Sequence, residues 1–368
     1  MHFNCFFRAH RLTLAGAILI LLTYRTVAAD ITTQAPAEQL LLKDYRPRSI
    51  YHLPETAVPK ARFPVIDMHS HPYAKTPEQV AQWVRTMDEA GVQTTVILTG
   101  EIGTKFDNLV HLYGKYPGRF SLWCGFDLTG VSEPTFGPAA VAELERCATA
   151  GARGVGELSD KGNGLRAVTN QQVHMDDPRL DPLLEKCADL GLPVNIHIGE
   201  PIWMYEPMDS SNDGLMNAFT WRLDNKTNIL SHAAVVTTLD RSLSRHPRTT
   251  FVACHFVNCC YDLSILTDLF ERHVNLYADN AARYAETAPI PRYMARFYSK
   301  WQDRLLYGTD MGLSPGMYHT TFRILETEDE HFYDWNLFSY HWPLHGFGLP
   351  NTVLEKVYSG NARKLVKK

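Results

Sequence analysis

The feature that most constrains this chain is a rhythm that starts near residue 65. Short apolar runs alternate with longer amphipathic ones, the pattern of parallel strands each followed by a helix. The runs at 65–69, 94–98, 120–126, 154–157, 193–197, 250–255, 275–278 and 304–308 read as eight strands. Between them, 77–90, 138–150, 178–190 and 235–246 read as helices, several opening with proline in the first turn and closing near glycine. Eight such units in order predict an α/β chain closed into a (β/α)8 TIM barrel over residues 63–368. The length permits it, since such a barrel takes roughly 250 residues or more as one domain.

A barrel fixes where chemistry lies, at the C-terminal ends of its strands. The first strand runs into Asp67-Met68-His69-Ser70-His71. Alternation of side chains turns His69 and His71 to the same side, and two imidazoles at nearly fixed separation can grip one metal ion. Strand four ends in Glu157, strand five in His197, strand six in His255 and strand eight in Asp310. The chain holds 16 histidines, and a single one at a strand end is more often a hydrogen-bonded core residue than a ligand. Four histidines and an aspartate on one mouth are much harder to obtain by chance.

In order and spacing this set resembles the amidohydrolase superfamily, within it the amidohydrolase-2 branch that includes aminocarboxymuconate-semialdehyde decarboxylase-like enzymes. The resemblance runs from about Phe63 to the C-terminus. It rests on Asp67-x-His69-x-His71, on His197, His255 and Asp310 in sequence, and on Val357-Tyr358-Ser359-Gly360-Asn361-Ala362-Arg363, similar to that branch's closing helix. It implies one ion held by His69, His71, His197 and Asp310 with a position open to water. His255 would orient that water or stabilise an oxyanion, and Asp310 would accept the proton and pass it to the leaving group. The nitrogen-rich set suits Zn2+, with Mn2+, Fe2+, Co2+ or Ni2+ compatible. Glu157 either bridges to a second ion, hydrogen-bonds the ligands or pairs with Lys161; the branch's one-metal design favours a single ion. The activity implied is hydrolysis of a C–N or C–O bond in a small carbonyl compound such as a cyclic amide, lactone or ester. The alternative is non-oxidative decarboxylation of an unsaturated or aromatic carboxylate. Similar proteins are often dimers, so a homodimer is expected.

Other stretches add to this outline. Residues 199–232 form a long aromatic-rich insertion after strand five, read either as a substrate cover or as packing against the N-terminal arm or a partner subunit, with Trp203 a candidate substrate contact. Arg283, after strand seven, is a candidate bidentate clamp for a substrate carboxylate. His319, His331, His341 and His345 fall among aromatics such as Trp335, Tyr340 and Trp342 and read as packing of a C-terminal helical cap. At the other end Arg8, His10 and Arg11 precede an apolar run at 12–22 and then Val27-Ala28-Ala29, the order of a secretory signal peptide over 1–29. A secreted or periplasmic protein is expected, with 30–62 as a proline-containing arm. A net charge of −4 and no basic patch exclude attraction to nucleic acid or an anionic membrane face and leave a small molecule as the partner. Six cysteines remain after Cys5 leaves with the signal; burial as small hydrophobes is the reading for most of them.

Overall fold

The computed structural model describes residues 36–165, 172–335, 338 and 340–366. The signal-peptide reading at 1–29 lies outside the described residues. Residues to Leu41 form one unit, whose described part holds the 3-10 turn Ala37–Gln39; the other unit, Leu42–Lys368, contains the barrel.

Eight parallel strands stand where the apolar runs predict them. They are β1 (Val65–Ser70), β2 (Val92–Leu98), β3 (Phe120–Trp123), β4 (Val155–Asp160), β5 (Val194–Ile198), β6 (Phe251–Ala253), β7 (Leu276–Asp279) and β8 (Leu305–Leu306). Strands β1 to β3 form one sheet and β4 to β8 another, in sequence order. Two seams close them into a barrel. At the first, Cys124 N–H donates to Gly154 O (3.0 Å) and Gly156 N–H to Cys124 O (2.8 Å). At the second, Met68 N–H donates to Tyr307 O (2.9 Å) and Asp310 N–H to His69 O (2.8 Å).

The helices wrap outside: α1 (Pro77–Ala90), α2 (Gly103–Tyr113), α3 (Phe136–Ala150), α4 (Asp181–Leu190), α5 (Leu215–Trp221), α6 (His232–Arg245), α7 (Ser264–Arg272), α8 (Tyr284–Thr287), α9 (Pro291–Trp301) and α10 (Pro315–Glu326). Helix α1 shows why sequence could place them. Thr76 accepts from Gln79 N while the Gln79 side chain caps Thr76 in return, Pro77 opens the first turn, and Gly91 ends the helix with φ at 80°. Its Val80, Trp83, Met87 and Ala90 are buried in the layer between helices and strands.

A second apolar cluster joins Ile66 and Met68 of β1, Val96 and Leu98 of β2, Trp123 of β3, Val252 of β6 and Leu306 of β8. Side chains from strands so far apart in order meet only in the barrel's lumen. Ala362 and Leu365 complete that cluster. Both belong to α12 (Ala362–Leu365), which follows α11 (Asn351–Glu355) and which a buried Asn361 pins to the start of β8 by donating Nδ2–H to Leu305 O (2.9 Å) and Gln302 O (2.7 Å). The C-terminal helices thus plug the N-terminal mouth and leave the other mouth to the long loops. Thr56 anchors the arm by donating its N–H (2.8 Å) and its hydroxyl (2.7 Å) to Asp329, and Arg62 N–H donates to Glu326 (2.9 Å). Among the described residues no helix is long and apolar enough to cross a membrane.

Candidate metal centre

Each strand-end histidine is held by the same device. His69 Nδ1 faces Asp279 Oδ2 (3.0 Å), His71 Nδ1 faces Leu98 O (3.1 Å), His197 Nδ1 faces Glu157 Oε1 (2.7 Å) and His255 Nδ1 faces Ala281 O (2.7 Å). All four partners are acceptors, so each Nδ1 carries a proton toward its anchor and Nε2 is the nitrogen turned to the site. Nε2 of His69 and of His197 are fully buried with no hydrogen-bond partner in the described structure. Buried polar atoms are ordinarily satisfied, so two orphaned imidazole nitrogens in one cluster fit metal ligation.

The ligand atoms of His69, His71 and Asp310 all lie within 4.8 Å of one another, and so do those of His69, Glu157, Cys254 and His255. Asp310 Oδ1 is 3.1 Å from His71 Nε2 and 3.7 Å from His69 Nε2. Glu157 lies among the rings, 3.5 Å from His71 Nε2 and 3.8 Å from His255 Nε2 besides its bond to His197. His197 stands one step out, its Nε2 3.6 Å from Glu200. Lys161 pairs with Glu200 and not with Glu157, which corrects one of the sequence-based alternatives for that carboxylate. Cys254 donates its Sγ–H to Asn195 Oδ1 (3.0 Å), and burial pushes its thiol pKa well up, so it stands there as a neutral thiol. All six cysteines of the described residues are free and buried.

The carboxylates raise the histidines' basicity where they meet. Burial alone would lower the pKa of His69, but Asp279 outweighs it and raises it to about 10; for His197, Glu157 and Glu200 overcome burial and raise it to about 9. Burial pushes the Asp310 carboxyl up, yet the His71 hydrogen bond and the charge of His69 hold it well below the usual range. The carboxylates thus draw protons onto two imidazoles, the places a divalent ion would take. His255 differs: burial, then the nearby Arg283 charge, lower its pKa to about 4, so near neutral pH its ring is uncharged and its Nε2 is an acceptor.

Backbone geometry aims these groups. Asp67 is a tie, not a member of either ligand group: its Oδ1 accepts from His69 N (3.2 Å) and Thr309 N (3.0 Å), its Oδ2 from Thr309 Oγ1 (2.6 Å) and Tyr318 OH (3.2 Å). It thereby fixes β1 against the residue preceding Asp310. At Gly308 a Cβ would sit 2.9 Å from His69 Cβ, so any other residue must displace His69. Asp310 has φ of 63°, and Tyr73 OH donates to its carbonyl (2.5 Å).

Two further sequence candidates lie beyond the histidines. Arg283 is buried, its Nε (2.9 Å) and Nη2 (2.6 Å) both donate to Asn258 Oδ1, and its Nη1 is 3.4 Å from Glu286. That bidentate clasp is spent inside the protein, so Arg283 is not offered to a substrate carboxylate as expected. Trp203 forms one wall of a cavity of about 370 Å³. The insertion at 199–232 makes its own small core from Met204, Ala218 and Leu223, and Trp203 packs on Trp342 with ring centroids 5.6 Å apart. Of the C-terminal histidines, His341 lines the same cavity, and His331 packs edge-on against Tyr51 of the arm (4.9 Å). The sequence reading missed Glu200, three residues after His197, and Asp279 as the anchor of His69; a carboxylate at the end of a barrel strand was the available signal for the latter.

The family model described as amidohydrolase matches residues 52–368. The chain belongs to the amidohydrolase family. Solved structures share the fold of this amidohydrolase at low identity. A TIM-barrel protein from Bordetella bronchiseptica is 18% identical, covering 82% of this chain and 98% of its own, with TM-score 0.52. A 2,6-dihydroxybenzoate decarboxylase from Rhizobium is 15% identical (83% and 98%, TM-score 0.53). A dihydroxybenzoic acid decarboxylase from Polaromonas, with bound manganese and the inhibitor 2-nitroresorcinol, is 16% identical (83% and 97%, TM-score 0.53). No curated protein matches the sequence.

Proposed function

We propose that this amidohydrolase is a metal-dependent carboxy-lyase that releases carbon dioxide, without oxidation, from a small carboxylic acid bearing an unsaturated or aromatic ring. The observation that carries the reading is the common orientation of the four histidines, every Nδ1 anchored on an oxygen and the Nε2 of His69 and of His197 left without a partner. His69, His71, His197 and Asp310 would hold one divalent ion, with Glu157 close enough to join. Three nitrogens and one oxygen suit Zn2+, and a second carboxylate moves the set toward the harder Mn2+, the ion in the Polaromonas structure. When bound, such an ion supplies the charge that binds a carboxylate or polarises a carbonyl. The solved decarboxylases that share the fold favour lyase chemistry over the hydrolysis that ranked first from sequence.

The chain's own residues supply the rest. Loss of carbon dioxide leaves an electron pair on carbon that must take a proton. That proton comes from solvent, one for each carbon dioxide released, and Asp310, its acidity strengthened by His71 and His69, would pass it to the carbon. His255 keeps Nδ1–H on Ala281 O, so its Nε2 accepts a hydrogen bond from a substrate hydroxyl or a water. That acceptor, together with Glu157 amid the histidines, specifically favours the second reading, hydrolysis of a lactone, ester or cyclic amide, because both could take a proton from an attacking water.

The test is elemental analysis of the purified protein, then carbon dioxide detection with ring-bearing carboxylates and hydrolysis assays with lactones and amides, before and after chelation. About one ion per chain with chelator-sensitive carbon dioxide release is expected. Hydrolysis without carbon dioxide moves the assignment to the second reading. A protein that binds no added Zn2+ or Mn2+ refutes both.

A further inference from the structure

The cavity walled by Trp203 stands apart from the metal centre, since none of the histidines and carboxylates assembled there lines it. It is also built rather than incidental. The Trp203 indole lies against Gly214, where any Cβ would collide with the ring, and Asn212 Nδ2 donates to Trp203 O (2.9 Å). Trp342 meets Trp203 at 51°, its own Nε1–H turned away to Ala285 O (2.8 Å). Tyr261 adds its ring at the exposed rim while its hydroxyl faces His232 Nδ1 (3.3 Å). Trp342 and Tyr261 thus have their polar atoms engaged elsewhere, which leaves ring surface for the cavity. At about 370 Å³ the space suits one small molecule.

The formal charge on that lining has a single sign. Two carboxylates line the cavity, Glu286 and Asp213, and among the described residues no lysine or arginine does. Glu286 is buried, whereas Asp213 stands exposed at the rim. Arg283 lies beside Glu286 but outside the lining: its Nη1 is 3.4 Å from Glu286 Oε1, which also accepts from Tyr340 OH (3.0 Å). Both contacts are to Oε1, so Oε2 is free of them. Taking Arg283 with Glu286 and Lys161 with Glu200 as pairs, the carboxylate of Asp213 is surplus. Burial raises the Glu286 pKa against the Arg283 charge and the Tyr340 bond, the mark of a carboxyl group with less positive surroundings than its burial demands. His341 adds an Nδ1 that is buried and unpartnered in the described structure. An anionic ligand would lose its water here and gain no cation. An ammonium ion would gain carboxylate oxygens and ring faces together, and Ile202 and Ile290 offer apolar surface to its carbon skeleton.

From the ring walls, the volume and the two carboxylates we infer that this cavity is a binding site for a small organic ammonium ion with an apolar body. The site goes beyond the carboxy-lyase reading and does not depend on it.

The experiment is calorimetric titration of the full chain with benzylammonium and benzyl alcohol, two probes of one size that differ in charge. Zn2+ is present throughout, so that the carboxylates of the metal centre do not compete for the ammonium. Saturable binding of benzylammonium is expected, about tenfold tighter than benzyl alcohol and weakening as salt rises. Glu286→Gln should weaken it about tenfold. Because Glu286 also holds Arg283, two rim variants give a check that leaves the buried pair alone. Asp213→Asn should weaken benzylammonium about threefold, and Ile290→Lys, at a position 40% exposed, should weaken it at least as much while benzyl alcohol changes little. No benzylammonium binding, benzyl alcohol binding as tightly, or benzylammonium binding that ignores both rim variants would overturn the inference. Benzylammonium binding that responds to the rim variants, in a protein that releases no carbon dioxide from any acid, would leave this site standing and remove the carboxy-lyase.

Discussion

Asp279 holds the centre together without belonging to either ligand group, and replacing it with asparagine isolates that role. Its Oδ2 takes the proton of His69 Nδ1 (3.0 Å), and its Oδ1 accepts from His255 N (2.9 Å) and Ala281 N (3.1 Å). The carboxylate is fully buried, and its pKa stays low because the charge of His69 and these bonds outweigh burial. An amide of the same shape has one oxygen. If that oxygen keeps the two backbone donors, its NH2 meets His69 Nδ1–H, donor against donor, and relief comes by moving the proton to Nε2, the nitrogen a metal needs. If the amide flips, two buried backbone N–H groups are orphaned instead. Either way one charge-assisted bond is lost, worth about 1.5–3 kcal/mol. That predicts roughly 10–100-fold weaker metal binding. Competition against a chromophoric chelator at neutral pH measures it, with the melting temperature of metal-free protein recorded beside it. An Asp279→Asn protein that binds Zn2+ or Mn2+ within about twofold of the parent would refute the argument that Nδ1 anchoring prepares His69 as a ligand.

The other expectations are independent of that bond. Gly308→Ala places a Cβ 2.9 Å from His69 Cβ and 3.2 Å from Ala281 Cβ, so His69 must shift; metal affinity should fall about tenfold with the circular-dichroism spectrum preserved. Leu365→Ala, at the far mouth of the barrel, should cost about 2–3 kcal/mol in denaturant unfolding and leave metal affinity unchanged. His174 hydrogen-bonds Asp160 (2.8 Å), which also accepts from Gly162 and Gly164 and so ties down the loop after β4. The Asp160 bond raises the His174 pKa against partial burial, so the stabilisation is complete below the unfolded value of about 6.5 and fades as pH rises through the folded one. The gap in melting temperature between wild type and His174→Gln should therefore narrow as pH rises from about 5 to about 8, and a gap that widens would contradict the pairing.

What could be read from the sequence follows from which forces leave a local trace. Strands buried on both faces must be apolar throughout, so all eight were visible, and α1 was visible to the residue because Thr76, Pro77 and Gly91 mark its ends by their own chemistry. Strand β6 was read too long, through His255, because Cys254-His255-Phe256 continues an apolar pattern while the backbone has already left the sheet. The strand-end histidines were legible because barrel geometry dictates where strand ends point. Their anchors were not, since Leu98 O and Ala281 O are backbone carbonyls that any residue would offer. Arg283 was misjudged for a related reason: its partner Asn258 lies 25 residues back, and nothing local says that the guanidinium is already occupied. The cavity was hidden in the same way, its walls Trp203 and Trp342 being brought together only by the packing of the insertion on the C-terminal segment.

The turn after β6 shows how far the fold goes to place one histidine. His255, Phe256, Val257 and Asn258 have φ of 58°, 52°, 58° and 52°, four successive left-handed residues without a glycine. At about 1–2 kcal/mol each the conformation costs of order 4–8 kcal/mol, less whatever asparagine's tolerance saves. The surroundings offset it bond by bond. His255 is held through its N–H by Asp279 and through Nδ1 by Ala281 O; Val257 O accepts from His232 (3.1 Å). Asn258 donates to Ile198 O (3.1 Å) and Gly199 O (3.0 Å) and accepts twice from Arg283. At about 1 kcal/mol net for each, these bonds match the strain within its own range. Most of them lead back to groups of the site: Asp279, which orients His69; Gly199, next to Glu200; and Arg283, whose charge helps keep His255 neutral. The strained turn and the histidine cluster therefore stabilise each other, and Arg283, expected to grip a substrate, instead holds in place the loop that carries the catalytic candidate.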